Sequence, residues 1–450
     1  MDVTAGTGGK KSLSLASPAD IGPMRAGQIV ALLVVTLFVF GVVMVNSASL
    51  RRVQDPGNTI RLAGPDHTYT LNVPESTGLA GRRVAETLLG KQTQFAAIAV
   101  VALIIGAFVP VERLSRMTGL VSPVPWILAA ILCSLLLTFT PLGVTMNGAQ
   151  RWIRIGPLQF QPSELAKWGL PFIVAWHCVR HAPSMKRFTT GLLPPLVLAG
   201  LICGLIAKED LGTAVLIMTV TILMLLVAGA RWWHVLGLLP LGVIAFAGLV
   251  LVEPYRVRRI MAFLDPFADA QDSGYQLVQS LGSIVTGGVS GVGFGNSLQK
   301  NGYLPETQTD FIFAIICEEL GAFGAAMVIG LFAGLIVVGA QIISGRSTPA
   351  AKVPEVSARA VPRFSRILGF GIVLTFGLQV AINLSVVTGL APTKGIALPL
   401  VSRGGTGWIL TAFSLGLLIA IDRRAWRISR KAGLDVDEQV SLPKLGTKPA

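Results

Sequence analysis

Charge is what this 450-residue chain has least of. Only 13% of its residues are charged, against about 25% in an average soluble domain. Hydrophobic residues make up 52%, and the mean hydropathy is +0.68. A soluble globular fold is excluded, and a polytopic membrane protein is implied. Cysteine is scarce too: Cys133, Cys178, Cys203 and Cys317 fall in or beside apolar runs with no paired spacing. That argues against a disulfide or thiolate-metal framework and leaves them as small apolar core residues. Of the four histidines, His177 and His181 share a helix face at metal-ligand spacing, but no third ligand is near them. The run Gly287–Gly295 lacks the Gly-Lys-Ser/Thr of a phosphate loop and follows no strand, which removes nucleotide binding.

What is abundant is apolar sequence in span-sized pieces. Ten runs approach the roughly 20 residues needed to cross a hydrocarbon core of about 30 Å. They lie near 27–45, 94–111, 122–140, 162–179, 190–207, 211–230, 232–252, 309–342, 368–390 and 404–421. The expected fold class is therefore an all-α polytopic membrane protein of about ten transmembrane helices, with a large extracytoplasmic loop between helices 7 and 8. Residues 1–26 form a polar N-terminal tail, 27–422 the membrane domain, and 423–450 a basic C-terminal tail. Residues 1–26 and 432–450 are expected to be disordered, and Gly345–Pro362 is expected to be a flexible loop. The first run is too long for a signal h-region of 7–15 residues and reads as an uncleaved anchor.

Orientation follows from basic residues. With both termini cytoplasmic, the inner segments hold 21 of 37 Lys/Arg and 8 of 23 Asp/Glu, a bias in the direction of the positive-inside rule. The tail run Arg423, Arg424, Arg427, Arg430 and Lys431 fits a basic flank at the inner leaflet. The outer segments are then 46–92, 141–161, 253–308 and 388–405. Loops of this length in a compact protein are usually functional or disordered.

These outer segments carry the unusual chemistry. Asp310 lies where the polar stretch from Tyr303 gives way to the eighth apolar run, and Glu318 and Glu319 follow inside it. Ionisable groups at membrane depth are costly and normally functional. Pro305 suits a helix start, which would set Asp310 at the membrane surface. Along one continuous helix Glu318 lies about 12 Å deeper, and Glu319 faces the other side, so both read as structural. Arg256, Arg258 and Arg259 form a cationic cluster above the membrane, open also to an anchoring reading. Arg151 and Trp152 precede a helix start at Pro162, where Trp152 also suits an interfacial belt. Glu164 and Lys167, three apart, suit a self-neutralising pair. Lys394 and Ser402 sit in the last outer segment.

Six separated motifs occur in order: Asn147–Lys167, Asp210–Thr213, Glu253–Arg259, Ser273–Leu277, Pro305–Gly321 and Pro392–Gly405. Together they resemble the FtsW/RodA/SpoVE (SEDS) family of cell-wall polymerases over about 27–422. Glu253-Pro-Tyr-Arg-Val-Arg-Arg and Asp272-Ser-Gly-Tyr-Gln-Leu are closest to its cell-division branch. The resemblance implies a ten-span peptidoglycan glycosyltransferase of the bacterial cytoplasmic membrane, at the division septum, polymerising lipid II on the outer face. It implies Asp310 as the catalytic residue. The 4-hydroxyl of an acceptor GlcNAc attacks the anomeric carbon of a donor MurNAc, undecaprenyl pyrophosphate leaves, and configuration inverts. It also implies a class B penicillin-binding protein and other division proteins as partners.

The chemistry suits these residues. A pyrophosphate leaves as an anion, so one general base suffices where glycosidases need two carboxylates. Arg256, Arg258, Arg259, Lys394 or Arg151 would stabilise it, with Trp152 and Ser402 as further candidates for pyrophosphate or sugar. No cofactor is required; a divalent cation at the pyrophosphate suits the charge, without a ligand cluster to hold it. No nucleic-acid partner is expected. The chain departs from the family pattern at Lys208-Glu209-Asp210, at Gln150 and at Arg403, where a Tyr is common. A lipid II flippase or a non-enzymatic division scaffold are the rival readings.

Overall fold

All ten apolar runs are helical in the computed structural model, which describes residues 24–49, 59–63, 68–72, 90–146, 149–156, 158–301, 303–348 and 354–432. The helices are α1 (Ala26–Ser49), α2 (Lys91–Phe108), a short α3 (Val111–Arg116), α4 (Pro123–Leu137), α5 (Pro162–Arg180), α6 (Leu193–Ala207), α7 (Leu211–Val227) and α8 (Trp232–Leu251). Then come α9 (Pro254–Leu264), α10 (Tyr275–Gly287), α11 (Ile312–Ser344), α12 (Pro354–Ala360), α13 (Arg363–Val387) and α14 (Thr406–Lys431). Seven of these, α6 counted with the π-helical turn Phe188–Leu192, are long and apolar enough to cross a membrane. α4 and α7 are shorter apolar helices. α5 spans 19 residues and carries Glu164 and Lys167 in its first turns.

The helix starts are written in the sequence. Ser122 caps α4 by accepting the Val124 N–H at 3.3 Å, with Pro123 as its first residue. Pro162 opens α5 and Pro254 opens α9. Asp210 caps α7, accepting the Thr213 N–H at 3.0 Å and the Thr213 hydroxyl at 2.7 Å. Because lipid is as apolar as leucine, such helices associate by close packing, aided by small residues. α2 and α14 meet in this way: a Cβ on Gly106 would sit 2.3 Å from Phe413 O, and one on Gly416 2.4 Å from Leu103 O. The core fills the space between α1, α11, α13 and α14, with Phe38 against Trp408 and Phe332 against Phe376. α8 stands apart, with Val250 its buried residue.

Contacts define two ends: Gly27 with Asp422, Arg423 with Ala107 and Arg363 with Ala228 meet at one, and Asn383 with Asp310 and Gln150 with Glu209 at the other. One end gathers 16 Lys/Arg and 3 Asp/Glu among the described residues. The other, which carries Asp310, holds 11 of each outside the 59–72 strands.

Several expectations are corrected. Pro305 does not start a helix: residues 303–311 are turns, Glu306 has φ 56°, and α11 begins at Ile312. Asp310 is therefore in a loop, and the depth of Glu318 cannot be counted along a helix from it. Nor is the eighth run one helix, because Gly321 has φ 64° and ψ −160° inside α11. Gly345–Pro362 contains α12. Segment 141–161 folds into an antiparallel sheet β3 (Gly143–Met146), β4 (Ala149–Ile155), β5 (Leu158–Phe160), and segment 46–92 contains an antiparallel pair β1 (Thr59–Ala63) and β2 (Thr68–Asn72). The class stays all-α with these two small additions. Residues 1–23 and 433–450, most of the two tails, lie outside the described residues.

The Gly-rich run finds its role at the break in α11. Freed backbone groups at membrane depth must be satisfied inside the protein. Val292 N–H donates to Glu318 O at 2.9 Å, Gly293 N–H to Glu319 O at 3.0 Å, and Ala322 N–H to Gly288 O at 3.0 Å. The two backbones touch: a Cβ on Gly291 would sit 2.2 Å from Glu319 O, and one on Gly321 2.4 Å from Gly291 N. Both glycines have positive φ, so nothing larger fits either position.

Candidate active site

Asp310 hangs in its loop by backbone contacts from two other elements. Asn383 of α13 donates its amide to Asp310 O at 2.8 Å and to Ile396 O at 2.8 Å. One turn earlier, Gln379 donates to Ala397 O at 2.9 Å and accepts from Lys167 Nζ at 2.8 Å. Ser402 Oγ donates to Thr309 O at 2.5 Å and accepts the Leu398 N–H at 2.7 Å. The Asp310 loop and the 391–405 loop are thus one unit mounted on α13. Glu306 and Leu400, one in each loop, are the two non-glycine residues with positive φ among the described residues. Such strain costs of order 1–3 kcal/mol each and clusters where function demands it.

Beside the Asp310 carboxylate stand two cations from two segments, Arg151 and Arg259, with Lys394 next to Asp210. A Cβ on Gly395 would lie 3.2 Å from Asp310 Oδ2 and 3.6 Å from Arg151 Nη1, so both groups reach the same point. Arg259 faces Asp310 and Arg151, donates to Thr393 O at 3.0 Å, and lies 4.4 Å over the Tyr255 ring. Lys394 faces Asp210, whose charge in turn reaches Asp310. Burial pushes the Asp310 carboxyl up to about 7, helped by Glu306 and Asp210 and opposed by Arg151 and Arg259. Burial also lowers Arg259 and Lys394, with Tyr255 and Asp210 respectively opposing it. Arg151 Nε and Asn383 Oδ1 are buried without a hydrogen-bond partner among the described residues. This corner therefore offers a donor and an acceptor to a polar ligand.

The other candidates fall elsewhere. Arg256 is spent on backbone carbonyls, donating to Leu249 O, Ala207 O and Lys208 O at 2.6–2.8 Å. Arg258 lies on another side of α9, lining a cavity of about 240 Å³ with Asp265, Asp269 and Ser273. Trp152 pairs with Val144 across β3 and β4, next to Arg151. Ser402 engages backbone groups, Thr309 O and the Leu398 N–H. Lys167 bonds Glu164 at 2.6 Å at the head of α5, beside the loop unit through Gln379. Glu318 accepts from Ser297 Oγ and from the Leu298 N–H at 2.8 Å. Glu319 pairs with Lys300 at 3.2 Å and accepts from Ser47 Oγ at 2.6 Å. Asp210 is legible from sequence only as part of a motif, and Gln379, Asn383 and Lys300 are not among the sequence candidates, although two amides four apart in an apolar helix are a legible signal. No cluster of three His, Cys, Asp or Glu side chains poised for a metal exists among the described residues. The carboxylates whose charges reach Asp310 are Glu306 and Asp210.

A family model described as "Cell cycle protein", FTSW_RODA_SPOVE, matches residues 67–426. The chain belongs to the FtsW/RodA/SpoVE family. A "Probable peptidoglycan glycosyltransferase FtsW" of Marinobacter nauticus is 35% identical over 405 residues, 89% of this chain and 90% of that protein. One of Aliivibrio salmonicida is 41% identical over 295 residues, 65% of this chain and 71% of the relative. Among solved structures, one described as "Structural coordination of polymerization and crosslinking by a peptidoglycan synthase complex" aligns at TM-score 0.64 with 26% identity, covering 88% of this chain and 98% of that one. The crystal structure of the Thermus thermophilus rod shape determining protein RodA aligns at 0.54 with 24% identity, covering 88% and 95%, and supports the fold.

Two departures of this FtsW/RodA/SpoVE chain from the common pattern are explained by the geometry. Glu209 accepts the Gln150 N–H at 2.9 Å, joining α7's entry to β4 and so to Arg151. Arg403 donates its backbone N–H to Gln308 O at 2.6 Å and its guanidinium to Gln308 Oε1 at 3.1 Å, a second clasp between the two loops. Asp210→Asn should keep the α7 cap, since Asn caps as well as Asp. It removes a charge that raises Asp310, so the acid limb of the pH–rate profile should move below about 7. A limb that stays put in that variant would show that the Asp210 charge does not reach the group that sets it.

Proposed function

We propose that Asp310 is the general base of a peptidoglycan glycosyltransferase that polymerises lipid II. Family membership and the relatives named as glycosyltransferases support the activity. The observation that carries the site is Asp310 held between Arg151 and Arg259, with the Lys394–Asp210 pair beside it, at one end of a membrane bundle. A base works best with a pKa near the operating pH, and Asp310 sits at about 7. Its carboxylate takes the proton from the acceptor's 4-hydroxyl while that oxygen bonds to the anomeric carbon. The donor's anomeric C–O bond breaks, and its electrons leave with the lipid pyrophosphate, which the cations stabilise. Incoming pyrophosphate competes with Asp310 for Arg151 and Arg259, which strengthens the base when substrate is bound.

The richer basic content of the opposite end supports both termini in the cytoplasm and the site on the outer face. A septal location and a class B penicillin-binding protein partner accord with the FtsW-named relatives and the synthase-complex likeness. The test is glycan-strand formation by purified protein and its partner transpeptidase from labelled lipid II. Strands are expected; lipid II movement across vesicles without strands would replace this reading with transport. Within the same assay, Arg259→Gln should lower the rate by about 10²-fold, whereas Arg258→Gln, outside the cluster, should stay within a few-fold of wild type. Equal effects of the two would sink the assignment of cations.

A further inference from the structure

Opposite the active-site end, a cavity of about 440 Å³ opens between the C-terminal turn of α7, α12 and the first turns of α13. Its lining is Val227, Ala358, Val361, Arg363, Arg366 and Ile367: two guanidinium groups, four apolar side chains and no carboxylate. We propose that this cavity binds the headgroup of an anionic glycerophospholipid.

The walls are fixed by hydrogen bonds that use one nitrogen of each guanidinium, Arg366 donating to Val361 O at 3.4 Å. Arg363 donates one guanidinium nitrogen to Ala228 O at 2.6 Å, closing the end of α7 against α13. Arg424 donates to Ala360 O at 3.0 Å and holds the end of α12 from behind. Glu112, a carboxylate beside the start of α13, takes its hydrogen bond from Ser365 and shares its field with Arg424. It is therefore committed away from the cavity. Arg363 and Arg366, three residues apart, lie on one helix face, and both are exposed. Guanidinium groups match phosphate oxygens in a two-pronged geometry.

The apolar half of the lining argues for a lipid over a free anion. Val227 is 56% exposed at the rim, beside the apolar length of α7, where an acyl chain would continue from the headgroup. This end is also the basic one, with 16 Lys/Arg against 3 Asp/Glu. Basic pockets between transmembrane helices on that side are the usual seats of anionic headgroups.

The experiment titrates delipidated, detergent-purified full-length protein with phosphatidylglycerol, phosphatidylcholine or inorganic phosphate. It reads bound lipid by native mass spectrometry and thermal stability in parallel. Phosphatidylglycerol should be retained at least about tenfold more tightly than phosphatidylcholine and should raise the melting temperature. Arg363→Gln/Arg366→Gln should abolish that preference, while Arg427→Gln, an exposed arginine at the same end, should keep it. Because Arg363 holds Ala228 O at 2.6 Å and Arg366 reaches Val361 O only at the long distance of 3.4 Å, Arg366→Gln alone must weaken retention without lowering the lipid-free melting temperature. Equal retention of both lipids, an unchanged preference in the double variant, or equal protection by inorganic phosphate overturns the proposal. Glycan synthesis does not enter the readout, so failure here is separable from failure of the polymerase reading.

Discussion

Asp310→Asn should reduce glycan-strand synthesis by about 10²–10⁴-fold, the usual worth of a positioned base, while leaving a better-folded protein at alkaline pH. The two effects share a cause. Burial and the neighbouring Glu306 and Asp210 raise the Asp310 carboxyl from its ordinary 3.8 to about 7. A folded group with a raised pKa holds its proton more tightly than the unfolded chain does. Its contribution to stability is complete below about 4, and it is lost as pH rises through about 7. Ionised Asp310 is thus a standing cost to the fold above neutrality, offset only partly by Arg151 and Arg259. Asn matches its shape and has no charge to desolvate, so the variant's melting temperature should exceed the wild type's at pH 8. The gap should close as pH falls towards 4. Wild-type rate should rise with pH through about 7 and level off, because the base acts only when ionised. Strand synthesis that survives in the variant, or a variant less stable than wild type at pH 8, would remove Asp310 from the reaction.

The sequence exposed the span-sized runs, the pairing of Glu164 with Lys167, and Asp310 itself, because charge inside apolar sequence is conspicuous. It did not expose how Asp310 is held. Asn383 and Gln379 support the loops from a different helix; two amides four apart in an apolar helix mark a polar face, but they do not name the loop carbonyls they bind. Arg256, Arg258 and Arg259 look equivalent when read in line. On α9 they diverge: one caps carbonyls, one lies by Asp269, and one reaches Asp310. The break at Gly321 was hidden because glycine is common in membrane helices. Only its pairing with Gly291, thirty residues earlier, requires it. The run dismissed as a nucleotide loop supplies that pairing.

Lys300→Met should be the most damaging single change outside the site. Lys300 and Glu319 are both fully buried and 3.2 Å apart. Lys300 Nζ also donates to Ser47 O at 3.4 Å and to Gly295 O. Glu319 takes the Ser47 hydroxyl, so the pair joins α1, the glycine-rich run and the broken α11. Removing the lysine strands a carboxylate without its cation, which typically costs about 3–5 kcal/mol. Little folded protein should remain after solubilisation. Replacing both partners, Lys300→Met with Glu319→Gln, removes both charges and should recover most of the loss. The rescue decides between two roles, because Glu319 lies nine residues beyond Asp310 on the same strand of chain. If the pair is structural, the double variant regains fold and strand synthesis together. If Glu319 served the reaction, the double variant would fold and stay inactive, and the assignment of Asp310 as the lone base would have to be abandoned.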